Sequence, residues 1–400
     1  MVAEDQAVTS GARKDLFARA LGVPNSSGGG RLHMAAHSHH LWPDVTLDAQ
    51  VDAWRDAAVL ADHKWDKVFG EVYPAAQGLV ARALSLPSPE TVVFAPNTHT
   101  LLAGLLSAMD WPRPVRVLST DGEFHSFRRQ AQRWVEAGEI ELTLVESEGA
   151  DFAERFLAAA REGGHDLIFA SHVFFKTGYV FDRVFELAEL ARPEGPWVVV
   201  DGYHGFRAVP TDLAAVADRL FYLAGGYKYA MAGEGAAFLH APPGFGPRPV
   251  LTGWYAEFGD LEGPPGGVGY ARDAGRFLGA TFDPSGLYRF VAAGRMLEAE
   301  GLTTAAVARH VARLKSVLLA RIALGEAGPL KAATVVNPLG PGPSARFLAL
   351  RHADANAWKA ALADKGVVVD VRDDVLRIGL SIYHDEADIA AFCAACAGLT

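Results

Sequence analysis

The residues with the clearest chemical potential lie at the ends of short apolar runs. Lys228 sits in Gly225-Gly226-Tyr227-Lys228-Tyr229, directly after FYLA. Two aromatic neighbours would strip water from its ammonium and lower its pKa toward that of a nucleophile. The segment is not a nucleotide-binding loop, because the glycine spacing and the Ser or Thr after the lysine are missing. Asp201 closes the run WVVVD, 27 residues earlier, with Gly202 behind it. The carboxyl end of a parallel strand is where open α/β sheets place ligand-binding groups. Pro96-Asn97-Thr98-His99-Thr100 stands between a strand-like run and a helix-like one, where free backbone N–H groups and hydroxyls make a phosphate seat or a simple cap. Phe124 follows VRVLSTDGE and is placed either to stack on a planar ring or to pack in the core. An amine nucleophile, an anion for a pyridine nitrogen and a phosphate seat together point to pyridoxal 5′-phosphate (PLP), held on Lys228 as a Schiff base with Asp201 keeping the ring an electron sink.

A second group is less specific. His37-Ser38-His39-His40, with His63 and Trp65, offers polar and aromatic groups for a substrate pocket, with His37 and His63 as substrate-binding candidates; ordinary packing is the alternative. No carboxylate or cysteine set completes a ligand spacing, so no metal site is expected. Cys393 and Cys396 share one face of an Ala-rich helix and are read as core rather than redox groups.

Around these residues the chain alternates. TVVFAP, VRVLST, ELTLVES, DLIFASHV, WVVVDG, FYLAGG and GAAFLHA read as strands. THTLLAGLLSAM, FHSFRRQAQRWVEAG and FDRVFELAELAR read as helices between them. That grammar predicts an α/β fold with a mostly parallel sheet covered on both faces. Residues 1–45 read as an N-terminal arm with a flexible NSSGGGR hinge, 46–285 as a large domain, and 286–400 as a smaller α+β domain holding ARFLALRH, GVVVDVR and VLRIGLS. PPGFGPRP and LEGPPGGVG read as irregular active-site loop. A net charge of −10 argues against a nucleic-acid partner. No apolar run approaches the ~18 residues needed to span a bilayer, and the first residues carry no apolar leader, so the expectation is a cytoplasmic protein without a signal peptide.

The chain also resembles a known family. Asp201 followed by His204 and Pro210, Tyr227-Lys228-Tyr229, Ser171-x-Val-x-x-x-Thr177-Gly178, Gly253-Trp254, and Arg377 with Tyr383 are similar to kynureninase motifs. Kynureninases lie within the class V aminotransferase group of fold-type I PLP enzymes, and the resemblance runs from about residue 30 to about 390. It implies a seven-stranded-type sheet in the large domain and a homodimer acting on a small-molecule amino acid. His99, Thr100, Phe124, Ser171, Asp201, His204 and Tyr227 would line the cofactor, and Lys228 would carry it. Trp254 and Thr281 would reach the phosphate from the partner subunit, and Arg377 would pair with the substrate carboxylate. The implied reaction is hydrolytic Cβ–Cγ cleavage with Lys228 and Tyr227 moving protons. Transamination, β-lyase chemistry on another amino acid, or a non-catalytic binding protein are the alternatives. Three positions depart from the family: Phe127 stands where it has Asp, His384 where it has Asn, and His37-Ser38-His39-His40 where it has Asn-Ser-Leu-Gly. No cysteine occurs in 330–350, where a cysteine desulfurase would carry its nucleophile.

Overall fold

The computed structural model describes residues 13–24, 30–109, 114–260, 267–338, 340 and 342–399. Most of the expected hinge (25–29) and part of the second Gly/Pro-rich loop (261–266) lie outside these residues.

A short N-terminal strand, β1 (Leu32–His33), precedes the main sheet. That sheet contains β2 (Val92–Ala95), β3 (Val115–Thr120), β4 (Ile140–Val145), β5 (Leu167–Ser171), β6 (Trp197–Asp201), β7 (Phe221–Gly225) and β8 (Ala237–His240). Its order is β2-β8-β7-β6-β5-β3-β4, and β8 alone runs antiparallel to its neighbours. β5, β7 and β8 are buried along their whole length, which explains their unbroken apolar runs. Helices 98–107, 125–136 and 152–162 and the turn of 182–189 connect the strands. The last of these corrects the expected α-helix FDRVFELAELAR, because Asp182–Glu189 winds as a tighter 3-10 helix.

The chain passes from β3 outward to β4 and returns to β5 on the other side of β3. The crevice at the carboxyl ends of β3 and β5 is therefore the switch point where such sheets bind ligands.

Helix Ser285–Ala299 runs between two cores, with Leu287, Phe290 and Val291 in that of the large sheet and Met296 and Leu297 in the C-terminal one, and helix Thr304–Leu324 continues the latter. Thr303 caps the second, and Gly325, at φ 85°, ends it in the left-handed conformation that glycine adopts without steric cost. The C-terminal sheet comprises β9 (Thr334–Val335), β10 (Phe347–Arg351), β12 (Asp370–Arg372) and β13 (Val375–Gly379), all antiparallel in the order β12-β13-β10-β9. The run GVVVDVR, read as one strand, is split. β11 (Val367–Val368) pairs in parallel with β1, whereas β12 joins the antiparallel sheet. Phe17, Met34, Ala36 and Leu41 consequently pack in the same core as β13 and helix Glu386–Ala397. Cys393 and Cys396 are buried and free in that helix. No helix among the described residues is long and apolar enough to cross a membrane.

Candidate functional site

Lys228 leaves β7 through two glycines. A Cβ at Gly226 would lie 2.9 Å from the Cβ of Ala232 and 3.1 Å from the Phe290 ring, so only glycine allows this close turn. The lysine is 8% exposed, and its Nζ contacts Nε2 of His204. The Phe124 and Tyr203 rings lie 5.7 Å and 5.5 Å from that nitrogen. Burial pushes the Lys228 pKa well below its ordinary value; Arg377 adds repulsion and Asp201 opposes it. Burial likewise depresses His204, with the charge of Lys228 adding to the effect, so both groups are pushed toward their neutral forms.

Asp201 ends β6 and accepts the Tyr203 N–H at 2.8 Å. Burial raises its carboxyl to about 6. Its β-sheet partner, Ser171, ends β5. Ser171 in turn leads to a residue that sequence reasoning missed, Glu123. This fully buried carboxyl accepts the Ser171 hydroxyl at 2.6 Å, the Ser171 N–H at 3.1 Å and the Thr120 hydroxyl at 2.8 Å. Burial raises it to about 7, despite those donors and with the charge of Asp201 adding to the rise. The only sequence signal is position: Glu123 directly precedes Phe124 in the crevice between β3 and β5.

Arg377, on β13, is 2% exposed and engages Asp370 and the carbonyl of Phe175. Arg372 shares the same carboxylate at 2.9 Å. Burial alone would raise the Asp370 pKa, but His37, 3.7 Å away, and the Arg377 charge hold it below the usual carboxylate range.

A cavity of about 340 Å³ gathers Asn97, Thr98, Phe124, Ser171, Asp201, His204, Tyr227, Lys228, Arg372 and Arg377, with Ser38 from the N-terminal segment. Asn97 accepts the Thr100 N–H at 2.9 Å, capping helix Thr98–Ser107 where it faces the cavity. Other candidates lie elsewhere. His99 is exposed and lines a neighbouring groove; Thr100 is exposed and bonded to Asn97. Trp254 and Thr281 are exposed and do not line the cavity. His37 and His63, expected to bind substrate, do not line this cavity. His37 is buried behind the cavity, stacked on Phe347 at 4.7 Å and beside Asp370, because its neighbours Ala36 and Leu41 tie it into the core. His63 faces solvent and pairs with Asp66 at 3.2 Å on its own helical turn. Among the described residues no group of three His, Cys, Asp or Glu could hold a metal ion.

Residues 310–396 match the family model of the kynureninase C-terminal domain. No curated protein sequence matches the chain. Several solved structures do. A lysine-to-alanine mutant of C-DES, with glycine covalently linked to its PLP cofactor, is 17% identical with a TM-score of 0.80, covering 97% of this chain and 99% of that one. The cystine C–S lyase C-DES with its product cysteine persulfide gives 18% and 0.79, covering 92% and 98%. The cysteine desulfurase of Thermococcus onnurineus gives 20% and 0.72, covering 92% and 94%. The chain thus has the α/β fold of the cysteine desulfurases and of a C–S lyase, joined to a C-terminal domain similar to that of kynureninases.

Proposed function

We propose that this protein is a PLP-dependent enzyme that acts on an amino acid and breaks a bond at its β-carbon, by hydrolytic Cβ–Cγ cleavage of the kynureninase type. The observation that carries it is Lys228: a buried amine at a strand end, its pKa pushed down by burial, between the Phe124 ring and His204, with Asp201 in the same cavity. Those residues fit PLP. The amine is a ready nucleophile for the aldehyde, Asp201 is an anion for the ring nitrogen, Phe124 offers an aromatic face, and the Asn97-capped helix start offers N–H groups to the phosphate. PLP, once bound, supplies the electron sink for negative charge at the α-carbon.

The chain's own residues do the rest. Lys228, released by substrate, takes the α-proton as general base. Tyr227, on the cavity wall beside it, gives a proton on the side of the departing group. Arg377 clamps the substrate carboxylate, which must then displace Asp370 from the guanidinium. In a homodimer, Trp254 and Thr281 would complete the phosphate site from the partner subunit.

A C–S β-lyase is the second reading, supported by the overall likeness to C-DES. A desulfurase that carries sulfur on its own cysteine is disfavoured, because both cysteines are buried in the C-terminal helix away from the cavity. The test is an assay without any keto-acid acceptor. Protein loaded with PLP should absorb in the visible and release alanine plus an anthranilate from L-kynurenine or its 3-hydroxy form, and Lys228→Ala should lose both band and turnover. Pyruvate and persulfide from L-cystine would favour the second reading. Turnover only with 2-oxoglutarate or pyruvate added would identify a transaminase and overturn both.

A further inference from the structure

Tyr227 is half-buried on the cavity wall, and burial raises its pKa, with Glu234 adding to the rise. A phenol in that position gives up a proton only if the charge left on its oxygen is cancelled quickly. The structure supplies a partner. Nδ1 of His39 lies 3.0 Å from the Tyr227 hydroxyl, and the two rings meet edge-on at 5.4 Å between centroids. The neighbours of His39 explain why it alone faces outward. His37 and His40 are buried and held neutral, near a pKa of about 3, mainly by burial. His40 is bonded to the Leu41 carbonyl at 2.6 Å and to the Ser381 hydroxyl at 2.5 Å. The turn between them is closed by the Ser38 and His39 N–H groups on the Ala35 carbonyl, at 2.9 and 3.1 Å. His39 is thus pinned by its backbone, exposed at its ring, and in contact with one cavity residue.

We propose that His39 is a positioning residue for proton transfer by Tyr227: it orients the phenol O–H into the cavity and returns a proton to it from solvent. The proposal rests on the reading of Tyr227 as the proton donor. The step balances. The Tyr227 O–H bond breaks as its proton passes to the substrate, the phenolate oxygen takes the proton from Nδ1 of His39, and Nε2 takes one from water. The ring ends as its other neutral tautomer, and one solvent proton has entered for the one delivered.

The test uses the full-length protein in two arms. In the first, ¹⁵N-histidine spectra of cofactor-free protein are compared for wild type, Tyr227→Phe and His39→Gln. One imidazole resonance, absent in His39→Gln, should shift in Tyr227→Phe; an unshifted resonance overturns the proposal. In the second, PLP-loaded His39→Ala is assayed with L-kynurenine and L-cystine in dilute buffer. Its kcat should fall about 10- to 100-fold with KM and the visible band unchanged, and added imidazole should restore part of the rate to it but not to Tyr227→Phe. A wild-type kcat, or a loss confined to KM, overturns the proposal. If wild type turns over neither compound the functional reading fails, while the spectra still decide the contact.

Discussion

Asp201→Asn should leave PLP bound but remove the fixed anion from the ring nitrogen, slowing turnover on the order of 10³-fold, or about 4 kcal/mol of barrier. A steady-state rate within a few-fold of wild type would mean that the ring nitrogen meets another group. Glu123 carries a different signature. Its carboxyl is raised to about 7 by burial, then by Asp201, so the folded state holds the proton more tightly than the unfolded chain does. The stability this brings is fully present below the unfolded carboxyl pKa and is lost as pH rises through about 7. Glu123→Gln carries no such charge. The variant should therefore gain on wild type between pH 5 and pH 8 by roughly 3 kcal/mol, read from urea denaturation of the cofactor-free protein. A constant difference between the two curves would show that the carboxyl titrates normally. Lys228 and Asp201 were legible in the sequence because residue type and strand-end position together imply their chemistry. Glu123 was not, because it acts through Ser171, a partner 48 residues away, and only the strand order brings them together.

The elements tell a similar story. Buried parallel strands were readable as apolar runs, since burial on both faces leaves no polar alternation to confuse them. The split of GVVVDVR was invisible, because β11 and β12 differ only in partner: one meets β1 and the other β13. The cap on helix Thr98–Ser107 was legible as a helix start, and it gives a test at this scale. Asn97→Ala removes the acceptor for the Thr100 N–H, which should cost about 1 kcal/mol of stability. It also loosens the turn of N–H groups offered to phosphate. Melting temperature and PLP affinity should therefore fall together; a lowered Tm with unchanged affinity by spectrophotometric titration would place the phosphate elsewhere.

At the scale of the whole molecule, Val250, Leu251 and Trp254 stand 80%, 58% and 44% exposed within five residues. Apolar side chains so concentrated are commonly covered by a partner. The protein should run as a dimer by light scattering, with PLP shifting any monomer toward it and Trp254→Ala weakening both assembly and PLP affinity. A monomer that binds PLP as tightly would leave Trp254 without that role. The pairing of β1 with β11 has another outcome, for the chain as it is made. Ser38 and His39 are made more than 300 residues before Arg377, yet all three belong to one neighbourhood, and the strand that ties the arm down lies beyond residue 366. At ordinary translation rates, the 149 residues from Lys228 to Arg377 take roughly 7–30 s to appear. Throughout that interval Lys228 can have Phe124, Asp201 and His204 around it but not Arg372 or Arg377, so the cavity is completed only when the C-terminal sheet folds onto it.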